Sequence, residues 1–591
     1  MKFKMLFFLL FPLLCSCIEI ETPSENIDNL FNNYFREIIS RNPETASQLG
    51  LIPQMGYEYD KSKLTDNSFK AIEEEFEIVK KYREKLSKYD FTKLSSSQKI
   101  ISEIFKAYLD NIIDSEKFRF HAYEINHIFG IHYSLSNLMT KYHTIQNKKD
   151  VEDFISRLNQ FPQRFNDSIE ILKKKEKDRM FPPQQIIKKY KDILEDFVSS
   201  DVIDNPFYKY FSEQIYHLPE LNKKEKEKFL TEAEKAITEK VYPSYNDFID
   251  YLENISEFVN EDTGVWKLPD GDEYYKHCLR KHTTTDLTPQ EIHRLGLKEV
   301  KRIQAEMLVI FDSLGFKDGK TFGEIEGKYW NSLEGDFFHY SRTEEGKEQA
   351  LQDYLKILGE TEKKLPELFS LIPKTPVTVE RIPESEESYK GQYYEMASMD
   401  GSRPAAFYTN LSWLPFKPGM QTLLFHETVP GHHLQIAIAQ EKEDNYIFKN
   451  LTFFTGYIEG WALYAEKLAY ENGWFEDVYS RLGYLNSELF RAARLVVDTG
   501  IHHKKWSRGK AFNYMKDNIG WGSYGEIDRY TVWPGQACAY KTGELKILEL
   551  REKAKKEQGN DFDIKEFHKI ILENGAVPLE LLEEIVDDYF D

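Results

Sequence analysis

The spacing of apolar residues predicts helices over most of the chain. Between residues 26 and 261, apolar side chains recur every three or four positions, as at Phe154, Leu158, Phe161 and Phe165. This period places them on one face of a helix. Prolines that end helices fall between such runs, at Pro182, Pro183, Pro206 and Pro219. The pattern of this half indicates a helical scaffold without an obvious reactive group.

One helix start is specified residue by residue. Thr288 is suited to the N-cap, Pro289 to the first helical position and Glu291 to the reciprocal hydrogen bond of a capping box. The apolar period behind it runs from Ile292 to Ile310 and ends by Gly315. We therefore predict a long helix after Thr288.

The pattern changes to alternation between residues 373 and 410. Val377 and Val379 alternate with polar residues, and short aromatic runs at 393–394 and 405–408 follow between glycines and prolines. These features are typical of strands, and they predict a small antiparallel sheet. The strand ending at Tyr408 is a candidate for pairing with an extended peptide.

Composition limits the class of protein. With 591 residues, 41% hydrophobic and 14% aromatic, the chain is not wholly disordered. Its net charge, 78 − 99 = −21, argues against nucleic-acid binding, which needs a basic surface. A mean hydropathy of −0.58 excludes a polytopic membrane protein.

The N-terminus is typical of an export signal. Lys2 and Lys4 precede an apolar stretch, residues 5–14, that is too short to span a bilayer. Residues 14–17, Leu-Cys-Ser-Cys, resemble a bacterial lipobox, in which Cys17 would carry the lipid. The alternative is an ordinary cleaved signal. We expect a protein outside the cytoplasm that is held at a bacterial membrane by its lipid alone. The sequence does not indicate which face of the membrane carries the anchor.

Two cysteines remain in the mature chain, Cys278 and Cys538. A secreted protein permits a disulfide between them, but sequence cannot establish one pair. The alternative, which the sequence supports equally well, is two unpaired buried thiols.

The candidate chemistry lies on one apolar helix. His426 is followed directly by Glu427, as in zinc peptidases where the glutamate activates the metal-bound water. The usual second ligand is four residues after the first, but Pro430 occupies that position. The next imidazoles are His432 and His433, and both remain candidates. Pro430 and the glycine after it are expected to interrupt the helix.

A third ligand is expected downstream, at Glu459. It lies among apolar residues, where a lone carboxylate is costly unless it is paired or bound to metal. Glu466, seven residues on, shares its helix face and is a candidate for orienting an imidazole. Two histidines, a glutamate and water form a catalytic zinc set, which predicts one Zn²⁺ ion. The alternative is a buried polar network without metal.

Three segments carry a resemblance to a known family. Residues 426–433 (His-Glu-Thr-Val-Pro-Gly-His-His), 459–466 (Glu-Gly-Trp-Ala-Leu-Tyr-Ala-Glu) and 533–537 (Trp-Pro-Gly-Gln-Ala) resemble the bacterial family of domain of unknown function 885. That family is similar to the glutamate-zincin peptidases. In those peptidases Gly-His follows His-Glu after one residue, whereas here it follows after three. The Gly-His match favours His432, and the register of an undistorted helix favours His433.

Further site residues are expected in the last hundred residues. Related peptidases use a downstream tyrosine to stabilise the oxyanion, which favours Tyr540, with Tyr530 second. Arg529 and Lys541 are candidates for holding a substrate carboxylate, and Tyr530 is a further candidate for substrate binding. Asp498 and His502, four residues apart, are candidates for supporting the metal ligands.

We therefore expect a mainly α protein, with a large helical two-lobed fold and a small antiparallel β-sheet beside an active-site cleft. Its segments are a signal peptide with lipobox (1–17), a helical scaffold (18–262) and a metallopeptidase-like catalytic region (263–591). The resemblance implies zinc-dependent hydrolysis of oligopeptides. The alternatives are a catalytically silent metal-bound surface lipoprotein that acts as a binding module, and a hydrolase of another amide such as a cell-wall peptide. The oligomeric state is left open.

Overall fold

The computed structural model describes residues 23–256, 259–383, 387, 391–442 and 446–590. The predicted signal peptide and Cys17 lie outside the described residues. The helices before residue 285 are α1 (Pro23–Arg41), α2 (Pro43–Leu49), α3 (Phe69–Leu86), α4 (Ser96–Ser115), α5 (Ile131–Asn137), α6 (Lys148–Leu158), α7 (Phe161–Glu176), α8 (Gln184–Ser199), α9 (Pro206–Tyr216), α10 (Lys223–Ala236), α11 (Tyr242–Ser256) and α12 (Gly271–Thr283).

The second half is also mainly helical, and the predicted fold class is confirmed. Its helices are α13 (Pro289–Ser313), α14 (Phe322–Asn331), α15 (Glu344–Leu368), α16 (Lys417–Glu427), α17 (His432–Glu441), α18 (Thr455–Glu471), α19 (Val478–His502), α20 (Arg508–Ile519), α21 (Tyr524–Val532), α22 (Gln536–Gln558), α23 (Ile564–Glu573) and α24 (Leu579–Phe590). Both hydrogen bonds of the capping box predicted at Thr288 are present at the start of α13.

The predicted sheet exists, but its topology differs from the prediction. Its strands are β1 (Val377–Arg381), β2 (Tyr393–Glu395) and β3 (Ala405–Thr409), in the spatial order β1-β3-β2. β1 pairs with β3 in parallel and β2 pairs with β3 antiparallel, so the prediction of a purely antiparallel sheet is wrong. Since β3 is the central strand, it also cannot offer a free edge to a peptide.

Two large apolar cores organise the helices. One takes buried residues from α1, α3 and α4, such as Phe31 and Phe105, together with residues from position 300 to α24. The other lies almost entirely within residues 125–255. The domain boundary at residues 262/263 stays a prediction. Residues from both sides of it contribute to the first core.

Cys278 and Cys538 are both buried and free, so the thiol alternative describes the structure. Within the described ranges, none of the helices combines the length and the apolar character needed to cross a bilayer.

Candidate metal centre

The helix that carries His426 is interrupted immediately after Glu427. α16 ends at Glu427, α17 begins at His432, and the intervening turn contains Pro430 and Gly431. Only glycine fits at position 431, because a Cβ there would lie 2.1 Å from the carbonyl oxygen of His426. The indole Nε1 of Trp461 donates to the carbonyl oxygen of Pro430 at 3.0 Å and ties the turn to α18.

This interruption brings His426 and His432 together with Glu459. One ligand atom from each of the three lies within 4.8 Å of the others. Nε2 of each imidazole is 3.4 Å from Oε2 of Glu459. Because the chain turns between α16 and α17, two histidines six positions apart present their rings to one point.

His433 is not part of this group, which favours His432 as the second ligand, and the choice between the two stays a prediction. Its Nε2 donates to the carbonyl oxygen of Thr375 at 2.9 Å, and its Nδ1 lies 3.1 Å from the hydroxyl of Tyr394, from which it accepts. Burial lowers the pKa of His433 to about 4, so the ring is neutral at pH 7. Both ring nitrogens of His433 therefore form hydrogen bonds to residues other than Glu459.

Glu466 lies behind His426. Its Oε1 accepts from Nδ1 of His426 at 2.8 Å, which leaves Nε2 directed towards Glu459. Burial alone would lower the pKa of His426, but the carboxylates of Glu459 and Glu466 raise it to about 9. The same negative field that attracts a proton to this imidazole would attract a metal cation.

Glu427 lies beside the three candidate ligands. It is buried, and burial raises the pKa of its carboxyl group, while the imidazoles of His426 and His432 oppose that rise. A backbone hydrogen bond from Tyr394 in β2 also favours its charged form. The carboxylate is thus held in place and is a stronger base than an exposed one.

α18 and α22 approach closely enough to bring Tyr540 to the same site. A Cβ on Gly543 would lie 1.8 Å from the carbonyl oxygen of Gly456, so side chains are excluded between these helices. The ring of Tyr540 lies nearly parallel to that of His426, with centroids 6.3 Å apart.

The hydroxyl oxygen of Tyr540 accepts two hydrogen bonds. Arg529 Nη2 donates to it at 3.1 Å, and Gln536 Nε2 donates at 3.3 Å. Since both bonds use the oxygen as acceptor, the hydroxyl proton stays available for donation. Sequence reasoning missed Gln536, although its position four residues before Tyr540 on one helix predicts a shared face.

Asp498 and His502 form hydrogen bonds to residues other than the metal candidates, and their supporting role stays a prediction. Asp498 accepts from the hydroxyl of Tyr275 at 2.5 Å and from the backbone N–H of Gly535. His502 Nε2 donates to the carbonyl oxygen of Tyr530 at 3.0 Å. These contacts fix the start of α22 and the end of α21 against α19.

Two predicted substrate-binding residues also point elsewhere. Lys541 is 0% exposed and forms ion pairs with Glu488 and Glu544 at 2.6 and 2.7 Å. One position along a helix corresponds to about 100° of rotation, so Lys541 cannot share the face of Tyr540. Tyr530 is buried, and its hydroxyl donates to Glu526 at 3.0 Å. Arg529 is the predicted substrate-binding residue that the structure places beside Tyr540.

The donor set fits a divalent cation. Oε2 of Glu459, which faces both imidazoles, is a buried polar atom without a hydrogen-bond partner among the residues that the structure describes. The 3.4 Å separation of Oε2 from each imidazole is longer than a normal N–H···O bond. Two imidazole nitrogens and one carboxylate oxygen are the protein ligands of many catalytic zinc sites.

Comparison with known proteins gives the family. Residues 43–586 match the family described as "Bacterial protein of unknown function (DUF885)". The chain belongs to this family. Among curated proteins, none matches the DUF885 chain. The resemblance to the glutamate-zincin peptidases stays a prediction.

Two solved structures resemble this DUF885 protein over almost its whole length. A "putative lipoprotein from Colwellia psychrerythraea" is 29% identical, with a TM-score of 0.92, and the match covers 96% of this chain and 99% of that one. A "putative lipoprotein of unknown function from Shewanella oneidensis" is 17% identical, with a TM-score of 0.70, covering 94% and 99%. The second likeness shows the fold alone.

Proposed function

We propose that this protein hydrolyses peptide bonds with a zinc ion held by His426, His432 and Glu459. The observation that carries the proposal is the convergence of these three side chains beside the carboxylate of Glu427 and the ring of Tyr540. When bound, zinc would polarise the substrate carbonyl and lower the pKa of a water molecule.

Glu427 is the proposed general base. Its carboxylate accepts a proton from the attacking water as the water oxygen bonds to the carbonyl carbon. It then delivers that proton to the leaving nitrogen as the carbon–nitrogen bond breaks. A positioned base of this kind contributes about 10²–10⁴-fold to the rate.

Tyr540 is the proposed oxyanion donor. Arg529 and Gln536 hold its oxygen, so its proton can be directed to the negative charge that develops on the carbonyl oxygen. A donor in place before the reaction is worth about 2.7–4 kcal/mol, because no solvent must reorganise.

We also propose that the protein is lipid-anchored outside the cytoplasm through Cys17. The lipobox-like residues 14–17 and the similarity to a "putative lipoprotein" support this location. Replacing Cys17 by Ser and following the protein into the soluble fraction tests the anchor.

The catalytic proposal is tested with a defined mixture of short peptides, including cell-wall peptides, and the zinc-loaded full chain. We expect cleavage that a chelator abolishes and that added zinc restores. Glu427→Gln should keep its zinc and lose at least about 10²-fold in rate. Zinc-loaded parent protein that leaves every peptide intact would contradict hydrolysis and favour a binding module. Cleavage of the cell-wall peptides alone would favour the hydrolase of another amide.

A further inference from the structure

Two arginines approach Tyr540, but they share one carboxylate. Arg494 Nη2 is 3.0 Å from Oε2 of Glu526, and the hydroxyl of Tyr530 donates to the same oxygen. Nη1 of Arg529 is 4.0 Å from the other oxygen of Glu526, at the limit of an ion pair. The cluster of two guanidinium groups and one carboxylate therefore carries a net charge of about +1 beside the proposed oxyanion donor.

Arg529 is the arginine whose charge is poorly compensated. Its hydrogen bonds go to neutral oxygens, those of Gln536 at 2.9 Å and Tyr540 at 3.1 Å, and both use Nη2. Within the described part of the chain, neither Nε nor Nη1 of Arg529 has a hydrogen bond to a carboxylate. A largely buried cation without a close counter-charge is unfavourable unless an anion joins it.

Arg529 is also the arginine that solvent can reach. Its side chain is 23% exposed, against 6% for Arg494. Its guanidinium lies 5.5 Å from the ring centroid of Trp533, and the ring of Phe129 packs on Trp533 at 4.5 Å. A planar guanidinium with free N–H groups is suited to binding a carboxylate with two parallel hydrogen bonds.

The arginine adjoins the proposed reaction centre. Nη2 of Arg529 is 3.1 Å from the hydroxyl oxygen of Tyr540, whose ring stacks near His426. A carboxylate bound at Arg529 therefore lies close to the peptide bond that Glu427 and Tyr540 act on. In a peptide, the group that brings a carboxylate so near the scissile bond is the C-terminus or an adjacent acidic side chain.

From this geometry we propose that Arg529 binds the free C-terminal carboxylate of a peptide, so that the protein removes short C-terminal fragments as an exopeptidase. The proposal rests on the proposed peptidase function and deepens it by naming the substrate class.

The test compares peptides of one sequence with either a free acid or an amide at the C-terminus, using zinc-loaded full-length protein. We expect kcat/KM to be about 10- to 100-fold higher for the acid, because a charged hydrogen-bond pair is lost with the amide. Arg529→Gln should lower the acid-to-amide ratio of kcat/KM to near one, mainly through KM for the acid, because both peptides lose the hydrogen bond from Arg529 to Tyr540 but only the acid also loses its charged partner. Arg529→Lys keeps the charge but not the planar fork of N–H groups. Its acid-to-amide ratio of kcat/KM should lie between those of the parent and Arg529→Gln.

A matched control is Arg508→Gln, which removes an arginine that is paired with Asp528 at 2.8 Å on the neighbouring helix α20. It should keep the preference for the free acid. A second peptide pair, with Asp or Asn beside an amidated C-terminus, distinguishes the two carboxylate sources, and a preference for Asp would overturn the assignment to the C-terminus.

Equal cleavage of acid and amide by the parent protein would overturn the role of Arg529 but not the proposed peptidase function. This result does not depend on whether the variants fold. Equal loss of both activities in Arg529→Gln would overturn it too, because Arg529 would then act only by holding Tyr540. Failure to cleave any peptide would overturn the proposed function itself, and with it this inference.

Discussion

Glu466 and His426 are joined by a hydrogen bond of 2.8 Å between Oε1 and Nδ1. Glu466 lies two helical turns beyond Glu459 on α18. One helix thus supplies both a candidate metal ligand and the carboxylate that orients another. The relative positions of α16 and α18 consequently determine the geometry of the centre.

We expect Glu466→Gln to weaken zinc affinity by about 10- to 100-fold, because the amide keeps the shape but loses the charge that holds the imidazole. Competition with a chromogenic chelator measures the affinity. Glu471→Gln on the same helix, which loses an ion pair with Arg551 instead, should bind zinc as the parent does. Equal affinities in both variants would show that the carboxylate does not tune the ligand.

His432→Ala should lose bound zinc, whereas His433→Ala should retain it. His432 Nε2 lies 3.4 Å from Glu459 Oε2, while both nitrogens of His433 are hydrogen-bonded to Thr375 and Tyr394. Metal analysis of the purified variants decides between them. Zinc retained in His432→Ala and lost in His433→Ala would reverse the assignment.

Tyr540→Phe should reduce kcat by about 10²–10³-fold, because it removes one oxyanion donor and leaves base and ligands in place. Zinc content should be normal. Tyr470→Phe, which removes a hydroxyl bonded to Glu306 at 2.8 Å, is the control for loss of a tyrosine hydroxyl. A Tyr540→Phe enzyme with parental kcat would exclude this role.

Glu326→Gln should stabilise the protein at alkaline pH. Glu326 is 0% exposed, and burial raises the pKa of its carboxyl group from 4.5 to about 7, although Trp330 donates a hydrogen bond to it. The folded state therefore holds a proton that the unfolded state releases above pH 4.5, and stability falls as pH rises towards 7.

By pH 8 this linkage costs the parent protein about 3 kcal/mol of unfolding free energy. Denaturant unfolding at pH 5 and pH 8 measures it. The Gln variant should lose less stability between these values than the parent, and the exposed Glu334→Gln should behave like the parent. Parallel pH profiles for the parent and Glu326→Gln would refute the raised pKa.

Local sequence patterns were sufficient to predict the positions of helices and strands, but not to predict how the strands pair. The capping residues from Thr288 to Glu291 determine the start of α13, because those hydrogen bonds are made within four residues. The three strands also lie where alternation and the two aromatic runs predict them. Their pairing depends on the long path from β1 to β3, and alternation contains no information on direction.

The same distinction applies to the site. His426 and Glu459 were predicted from the His-Glu pair and from an apolar-flanked carboxylate, and the structure brings a ligand atom of each within 4.8 Å of one on His432. Spacing could not decide between His432 and His433, because the answer depends on the backbone path through a non-helical turn. The structure pairs Lys541 with Glu488, and a partner so distant in the chain is not evident from local sequence.

The shared core has a practical consequence for dividing the chain. Phe31 of α1 packs against Tyr446 and Phe448, in the segment that connects the two ligand-bearing helices α17 and α18. A fragment that starts at residue 263 would leave that connection without its apolar partner and expose it to water. We therefore expect a fragment from residue 263 onwards to fold poorly by itself, so that recombinant work on the metal centre should keep the N-terminal helices in the same polypeptide.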